Sequence, residues 1–155
     1  EVKKEYTALV WGRMKNDSGT IALPIGLRTG TTRRTTHLAS ARMVKEAVTD
    51  YRVRERLRWG DEPLTLLTLL PKTGRTHQLR VHLSSIGHPV LGDALYGGKN
   101  RFKKSGELGL ARHFLHANAI EFALPDKTML RVEAPLPGDL VSALAEAKPD
   151  AEETQ

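Results

Sequence analysis

At 155 residues, 39% of them hydrophobic, the chain can bury the core of one domain or of a large piece of one. It has no cysteine, which excludes disulfides, thiolate metal sites and cysteine nucleophiles. No apolar run is long enough to span a bilayer and nothing reads as a signal peptide, so the simplest expectation is a cytoplasmic protein; the net charge of +6 favours a polyanionic partner.

The chain opens directly in strand-like sequence, without a methionine, which suits a fragment or a trimmed chain. Tyr6, Ala8 and Val10 alternate with Glu5, Thr7, Leu9 and Trp11, and Gly12 ends the strand. Residues 16–19 have turn chemistry, and residues 21–27 are apolar but broken by Pro24. Residues 29–40, rich in Thr and Arg, are expected to form a mobile polar loop.

Charge concentrates in the next stretch. From Arg28 to Arg58 there are nine Lys or Arg against Glu46, Asp50 and Glu55, a net of +6. Residues 46–58 read as a strand with Thr49, Tyr51, Val53 and Leu57 on one face. Asp50, Arg52, Arg54, Arg56 and Arg58 fall on the other, with successive arginines about 7 Å apart. That row is either a solvated sheet face or a track for phosphates.

Residues 64–70 are apolar except for Thr65 and Thr68, as in a central strand covered on both sides, and Pro71 closes it. A helix is expected to start near Thr73 or Thr76, run to Ile86 and stop at Gly87, with Leu79, Leu83 and Ile86 facing the core. After it, a connection rich in glycine leads to a basic surface loop at 99–104. Two more strands are expected at 114–122 and 129–132. Pro137-Gly138-Asp139-Leu140 opens a short helix with Leu140, Leu144 and Val141 inward. From Lys148 the composition suggests a disordered tail, leaving residues 1–147 as the folded part. The sum is an α+β domain dominated by a sheet.

The densest chemistry lies at Lys72-Thr73-Gly74-Arg75-Thr76-His77-Gln78-Leu79-Arg80-Val81-His82-Leu83, followed by Gly87-His88-Pro89-Val90-Leu91-Gly92-Asp93-Ala94-Leu95-Tyr96-Gly97. His77, Arg80 and Ser84 fall on one face of the expected helix, beside the apolar stripe. Arg75 precedes that helix or lies in its first turn, where unpaired N–H groups and the dipole favour anions. Arg80 adjoins core position Leu79, and a buried arginine needs a carboxylate or phosphate partner. A purely structural ion pair satisfies that need as well as a functional one does.

The run resembles the Thr-Gly-Arg-Thr-His-Gln-Leu-Arg-x-His motif of RluA-type RNA pseudouridine synthases, and the Gly-His-Pro-x-x-Gly-Asp-x-x-Tyr-Gly that follows resembles its continuation. Three further blocks are similar to family strands: Lys4-Glu5-Tyr6-Thr7-Ala8-Leu9-Val10-Trp11-Gly12, Ala47-Val48-Thr49-Asp50-Tyr51-Arg52-Val53, and Leu115-His116-Ala117. The resemblance runs from Lys4 to about Pro137. One small departure is Val44 before Lys45, where the family often has glycine.

The resemblance implies part of a pseudouridine-synthase-like domain, a mixed or antiparallel sheet with flanking helices. It implies that a uridine in ribosomal or transfer RNA is flipped out, its base detached from ribose C1′, turned and rejoined through C5, with no cofactor and no metal. Tyr6 matches the tyrosine that stacks on the base, Arg80 the arginine that pairs with the catalytic aspartate, and Leu115, more loosely, an apolar residue against the base. Lys72, Arg75, His77, Arg52, Arg54 and Arg56 are the candidates for RNA contact. The family's nucleophile lies in an Arg-Leu-Asp stretch upstream of the first strand, and no Arg-Leu-Asp occurs here. Asp93, the aspartate inside a recognisable motif, is expected to be structural. The chain alone is therefore expected to be inactive and to need its N-terminal half. The alternative is a non-catalytic RNA-binding domain on the same fold.

Overall fold

The computed structural model describes residues 2–150. In chain order its elements are β1 (Lys3–Trp11), β2 (Ser18–Ile21), β3 (Ile25–Arg28), β4 (Arg34–Thr35), β5 (Ala41–Lys45), β6 (Thr49–Trp59) and β7 (Glu62–Pro71). Then follow α1 (Gln78–Ser85), α2 (Lys99–Ser105), β8 (Leu115–Ala123), β9 (Met129–Glu133), α3 (Gly138–Ala145) and β10 (Lys148–Pro149). The main sheet runs β10-β6-β7-β1-β8-β9, with β2 also paired to β6. All of these pairings are antiparallel, so the fold is α+β.

The apolar run in β7 explains the layering. Tyr6, Ala8 and Val10 of β1 oppose Leu69, Leu67 and Thr65, while Thr7, Leu9 and Trp11 oppose Thr68, Leu66 and Leu64. Both faces are covered, because Leu9, Leu64, Leu67 and Trp11 are all essentially inaccessible. Each such side chain contributes about 1.5–3 kcal/mol through burial. Helix α1 lies on the Tyr6 face and presents Leu79 and Leu83 to the core. There Gln78 Nε2 donates to Thr49 Oγ1, and the Thr49 hydroxyl meets His82 Nδ1 at 2.9 Å.

Several expectations need correction. The arginine row of β6 does not exist, because a bulge lies between Val53 and Glu55. One extra residue reverses the side-chain parity, so Arg52 opposes Thr68 while Arg56 opposes Thr65, on the other face. Residues 29–40 are loop only in part: Arg34–Thr35 form β4, which pairs with β3, Leu38–Ser40 form one turn of 3-10 helix, and β5 completes a second, three-stranded sheet. Residues 99–104 form α2 rather than a loop, and Val141 is half exposed while Leu140 and Ala143 are buried. Lys148 and Pro149 pair with Arg58 and Leu57, and Asp150 is buried against Arg13 at 3.0 Å. Residues 151–155 of the expected tail lie outside the described residues.

Candidate active site

Helix α1 starts at Gln78 with His77 at its N-cap, one turn after the Thr73 candidate and one residue after Thr76. Thr73 does not cap it; the Thr73 hydroxyl donates to Gln78 Oε1 at 2.7 Å and accepts the Val48 N–H at 3.0 Å. Gln78 Oε1 also accepts the Arg75 N–H, and Gln78 Nε2 donates to the Val48 carbonyl. This buried glutamine therefore ties the β7–α1 turn to the start of β6 and fixes the wall of the site. His77, the residue before the helix, adopts a left-handed backbone (φ 56°), which costs a non-glycine residue about 1 kcal/mol or more.

That conformation places His77 beside a connected set of polar groups. His77 Nδ1 lies 2.7 Å from the Tyr96 hydroxyl, which also accepts the Arg34 N–H at 3.1 Å. Ser84 donates to the Tyr96 carbonyl, and the Arg80 guanidinium lies 5.1 Å from the Tyr96 ring centre. The expected common face of His77, Arg80 and Ser84 is real, and Tyr96 is what it meets.

Arg80 makes a bidentate pair with Asp93: Nε to Oδ2 and Nη2 to Oδ1, both 2.8 Å. Asp93 Oδ1 also accepts the N–H groups of Leu95 and Tyr96. Burial pushes the Asp93 carboxyl up, but the Arg80 guanidinium and these N–H groups outweigh it and hold its pKa below the ordinary value. Asp93 in turn raises the pKa of Arg80. Arg80 Nη1 makes no hydrogen bond among the described residues, so the guanidinium can still take a second acceptor.

Around Arg80 opens a cavity of about 540 Å³. Tyr6, Leu115, Lys72, Arg75, His77 and Arg80 all line it, with Lys4, Leu79 and His113. Six of the nine expected site residues thus converge there. Arg52, Arg54 and Arg56 do not line it. Arg52 and Arg54 are exposed, but Arg56 is 7% exposed, donates through Nε to the Met14 carbonyl and pairs with Asp17 at 2.9 Å. Arg56 is therefore a buried clamp on the loop after β1.

The chain matches the family model described as RNA pseudouridylate synthase over residues 1–85. It is 40% identical to the ribosomal large subunit pseudouridine synthase D of Vibrio parahaemolyticus, covering 98% of this chain and 47% of that one. It is also 40% identical to an RNA pseudouridine synthase of Bacillus subtilis, covering 90% of this chain and 42% of that one. A solved structure of human RNA pseudouridylate synthase domain containing 1 superposes with a TM-score of 0.82 at 32% identity, covering 96% of this chain and 60% of that one.

The chain belongs to the RNA pseudouridylate synthase family. Its relatives place it in the RluA-type branch. It spans less than half the length of the curated relatives it matches.

Within this family chain, the motif's two histidines differ in role. His82 is fully buried: Nε2–H donates to the Leu23 carbonyl, so the neutral ring accepts the Thr49 hydroxyl at Nδ1. Burial lowers its pKa, which keeps it neutral. His77 faces the cavity, and its pKa is lowered by burial and then by Arg80. Sequence reasoning missed His113, Tyr96 and the use made of Asp93. The Gly-Asp-x-x-Tyr-Gly spacing carried the signal for the last two, because Asp93 and Tyr96 sit on one tight turn that locks Arg80. His113 had no such marker; burial, then Arg80, lower its pKa as well. Among the described residues, no group of three or more His, Asp or Glu could hold a metal ion. No helix there is long and apolar enough to cross a membrane.

Proposed function

We propose that this chain is the C-terminal part of the catalytic domain of an enzyme that isomerises uridine to pseudouridine in RNA. One observation carries the reading. Tyr6, Leu115 and Arg80 line a single cavity, and Arg80, already anchored by Asp93, keeps Nη1 for a second carboxylate. A binding module has no need of a buried arginine held ready for an absent acid. Ribosomal RNA is the better supported substrate, since the Vibrio relative is named for the ribosomal large subunit; transfer RNA is the other class that the motifs suggest.

In the reaction the C1′–N1 bond breaks, the base turns, C5 bonds to C1′, the C5 proton leaves and N1 gains a proton. The aspartate that attacks is supplied by a segment of the same domain upstream of Tyr6. Arg80 lowers that carboxyl's pKa and so keeps it ionised. Tyr6 offers a flat face to the base and a hydroxyl near the leaving proton, and Leu115 excludes water from the other side. Lys72, Arg75 and His77 sit on the rim of the cavity as RNA contacts. Lys72 is well exposed and lies 3.5 Å from Asp50, so a phosphate competes with only a weak ion pair.

The test incubates ribosomal RNA with this chain and, separately, with a protein extended upstream through an Arg-Leu-Asp, and then maps pseudouridine by mass spectrometry. The extended protein is expected to form pseudouridine and the chain alone to bind RNA without converting it. Binding by both with conversion by neither favours the non-catalytic RNA-binding alternative.

A further inference from the structure

A second cavity of about 450 Å³ lies between the β3–β4 hairpin and α1. Arg28, Arg33 and Arg34 line it. From Arg28 to Lys45 the sequence carries five Lys or Arg and no acid. None of the three lining arginines forms an ion pair with a carboxylate among the described residues. Arg34 Nε is buried without a hydrogen-bond partner. A buried guanidinium N–H left unpaired is costly, which favours an anion held among these arginines.

Three of the hydroxyls around the cavity, those of Thr36, Ser84 and Ser85, already donate within the protein. Ser85 gives its proton to the Val81 carbonyl, so the 2.9 Å contact with Thr36 has Thr36 donating. Ser84 gives its proton to the Tyr96 carbonyl. The guanidinium groups are the strong donors that remain, and planar guanidinium groups suit phosphate oxygens.

Tyr96 lines this cavity and meets His77, which lines the Tyr6–Arg80 cavity. The Arg33 guanidinium lies 5.3 Å and that of Arg80 5.1 Å from its ring centre. Its hydroxyl lies between His77, which lines the first cavity, and the N–H of Arg34, which lines the second. A polynucleotide with one base in the first cavity has its backbone within reach of the second. We propose that the cavity under the arginine hairpin is a phosphodiester site, which takes the RNA backbone next to the uridine held at Tyr6 and Arg80. The proposal rests on the RNA reading above and adds a site to it.

The test measures the affinity of the full chain for a single-stranded, uridine-containing RNA oligonucleotide across a salt series. Arg33→Gln/Arg34→Gln is compared with wild type and with Lys103→Gln/Lys104→Gln, which removes equal charge from α2. The hairpin variant is expected to bind roughly tenfold more weakly at physiological salt, and its salt dependence to fall by about 0.7 for each phosphate that it no longer neutralises. The α2 variant is expected to stay within about threefold of wild type. Equal weakening in the two variants, or none in the hairpin variant, overturns the site while leaving the RNA reading intact. No RNA binding by wild type defeats that reading itself. In wild type, where misfolding plays no part, the Arg34 Nε–H resonance is expected to move with the oligonucleotide and not with inorganic phosphate at equal concentration. A response to phosphate but not to RNA also overturns the site.

Discussion

The Arg80–Asp93 pair is the joint on which the geometry of the candidate site depends, and its strength can be worked from its environment. Asp93 is fully buried and the Arg80 side chain is 14% exposed, so little solvent screens them. Two 2.8 Å bonds hold them in bidentate geometry. Removing one member of a buried pair typically costs 3–5 kcal/mol, because the other charge stays buried and alone. Asp93→Asn keeps the shape and can keep one oxygen for the N–H groups of Leu95 and Tyr96, but it turns an amide N–H toward Arg80. A loss of about 3 kcal/mol is expected, at the lower end of that range. Arg80→Met strands the carboxylate instead and is expected to cost a similar ~3 kcal/mol. The double variant has neither stranded charge, so its loss should be about 3 kcal/mol rather than about 6, a coupling of about 3 kcal/mol. Urea unfolding followed by the fluorescence of Trp11 and Trp59 reads all three values. Additive losses, with coupling under about 0.5 kcal/mol, would refute the claim that Asp93 acts by holding Arg80.

Other consequences follow from single groups. The neutral His82 has a lowered folded-state pKa, so the unfolded chain takes up a proton first as pH falls below about 6.5. Stability should therefore fall with decreasing pH below that point, by at most about 1.4 kcal/mol per pH unit from this group, and His82→Gln should flatten the slope in urea titrations at pH 5 to 7.5. Gly92 has φ +76°, and a Cβ there collides with the Arg112 carbonyl oxygen. Gly92→Ala should cost roughly 3 kcal/mol or more in thermal or urea unfolding, with little loss marking the turn as adaptable. Arg56→Gln should destabilise the fold by about 2 kcal/mol through loss of its buried bonds to the Met14 carbonyl and Asp17. Its RNA affinity at fixed folded fraction should not change, and a specific loss of binding would return Arg56 to the RNA surface.

Much of the fold could be read in the sequence because the local rules and the tertiary outcome agree. The run of leucines in β7 predicts a strand covered on both faces, and Leu64, Leu67 and Leu69 are fully buried. Leu79 and Leu83 form the expected inner stripe of α1, and Tyr6, Arg80 and Leu115 reach one cavity as the family motifs imply. The failures have a common form. The β6 bulge is invisible to a period-two count, and one extra residue moved Arg56 from an expected RNA face to a buried clamp. The hairpin at 25–35 has a four-residue first strand next to Pro24 and a two-residue polar second strand, too short for a periodic signal; Tyr96, far along the chain, holds it through the Arg34 N–H. Tail residues 148 and 149 read as disordered by composition, but pairing with β6 and the burial of Asp150 override that. Long-range partners decided each case.

The most direct test of the central claim is single-turnover isomerisation of an RNA substrate by the protein extended upstream through an Arg-Leu-Asp, with Tyr6→Leu and Arg80→Lys as variants. If the cavity holds the reacting uridine, both variants should lose at least about 100-fold in rate, while RNA affinity stays within about threefold of wild type. Near-normal rates in either variant would contradict the account.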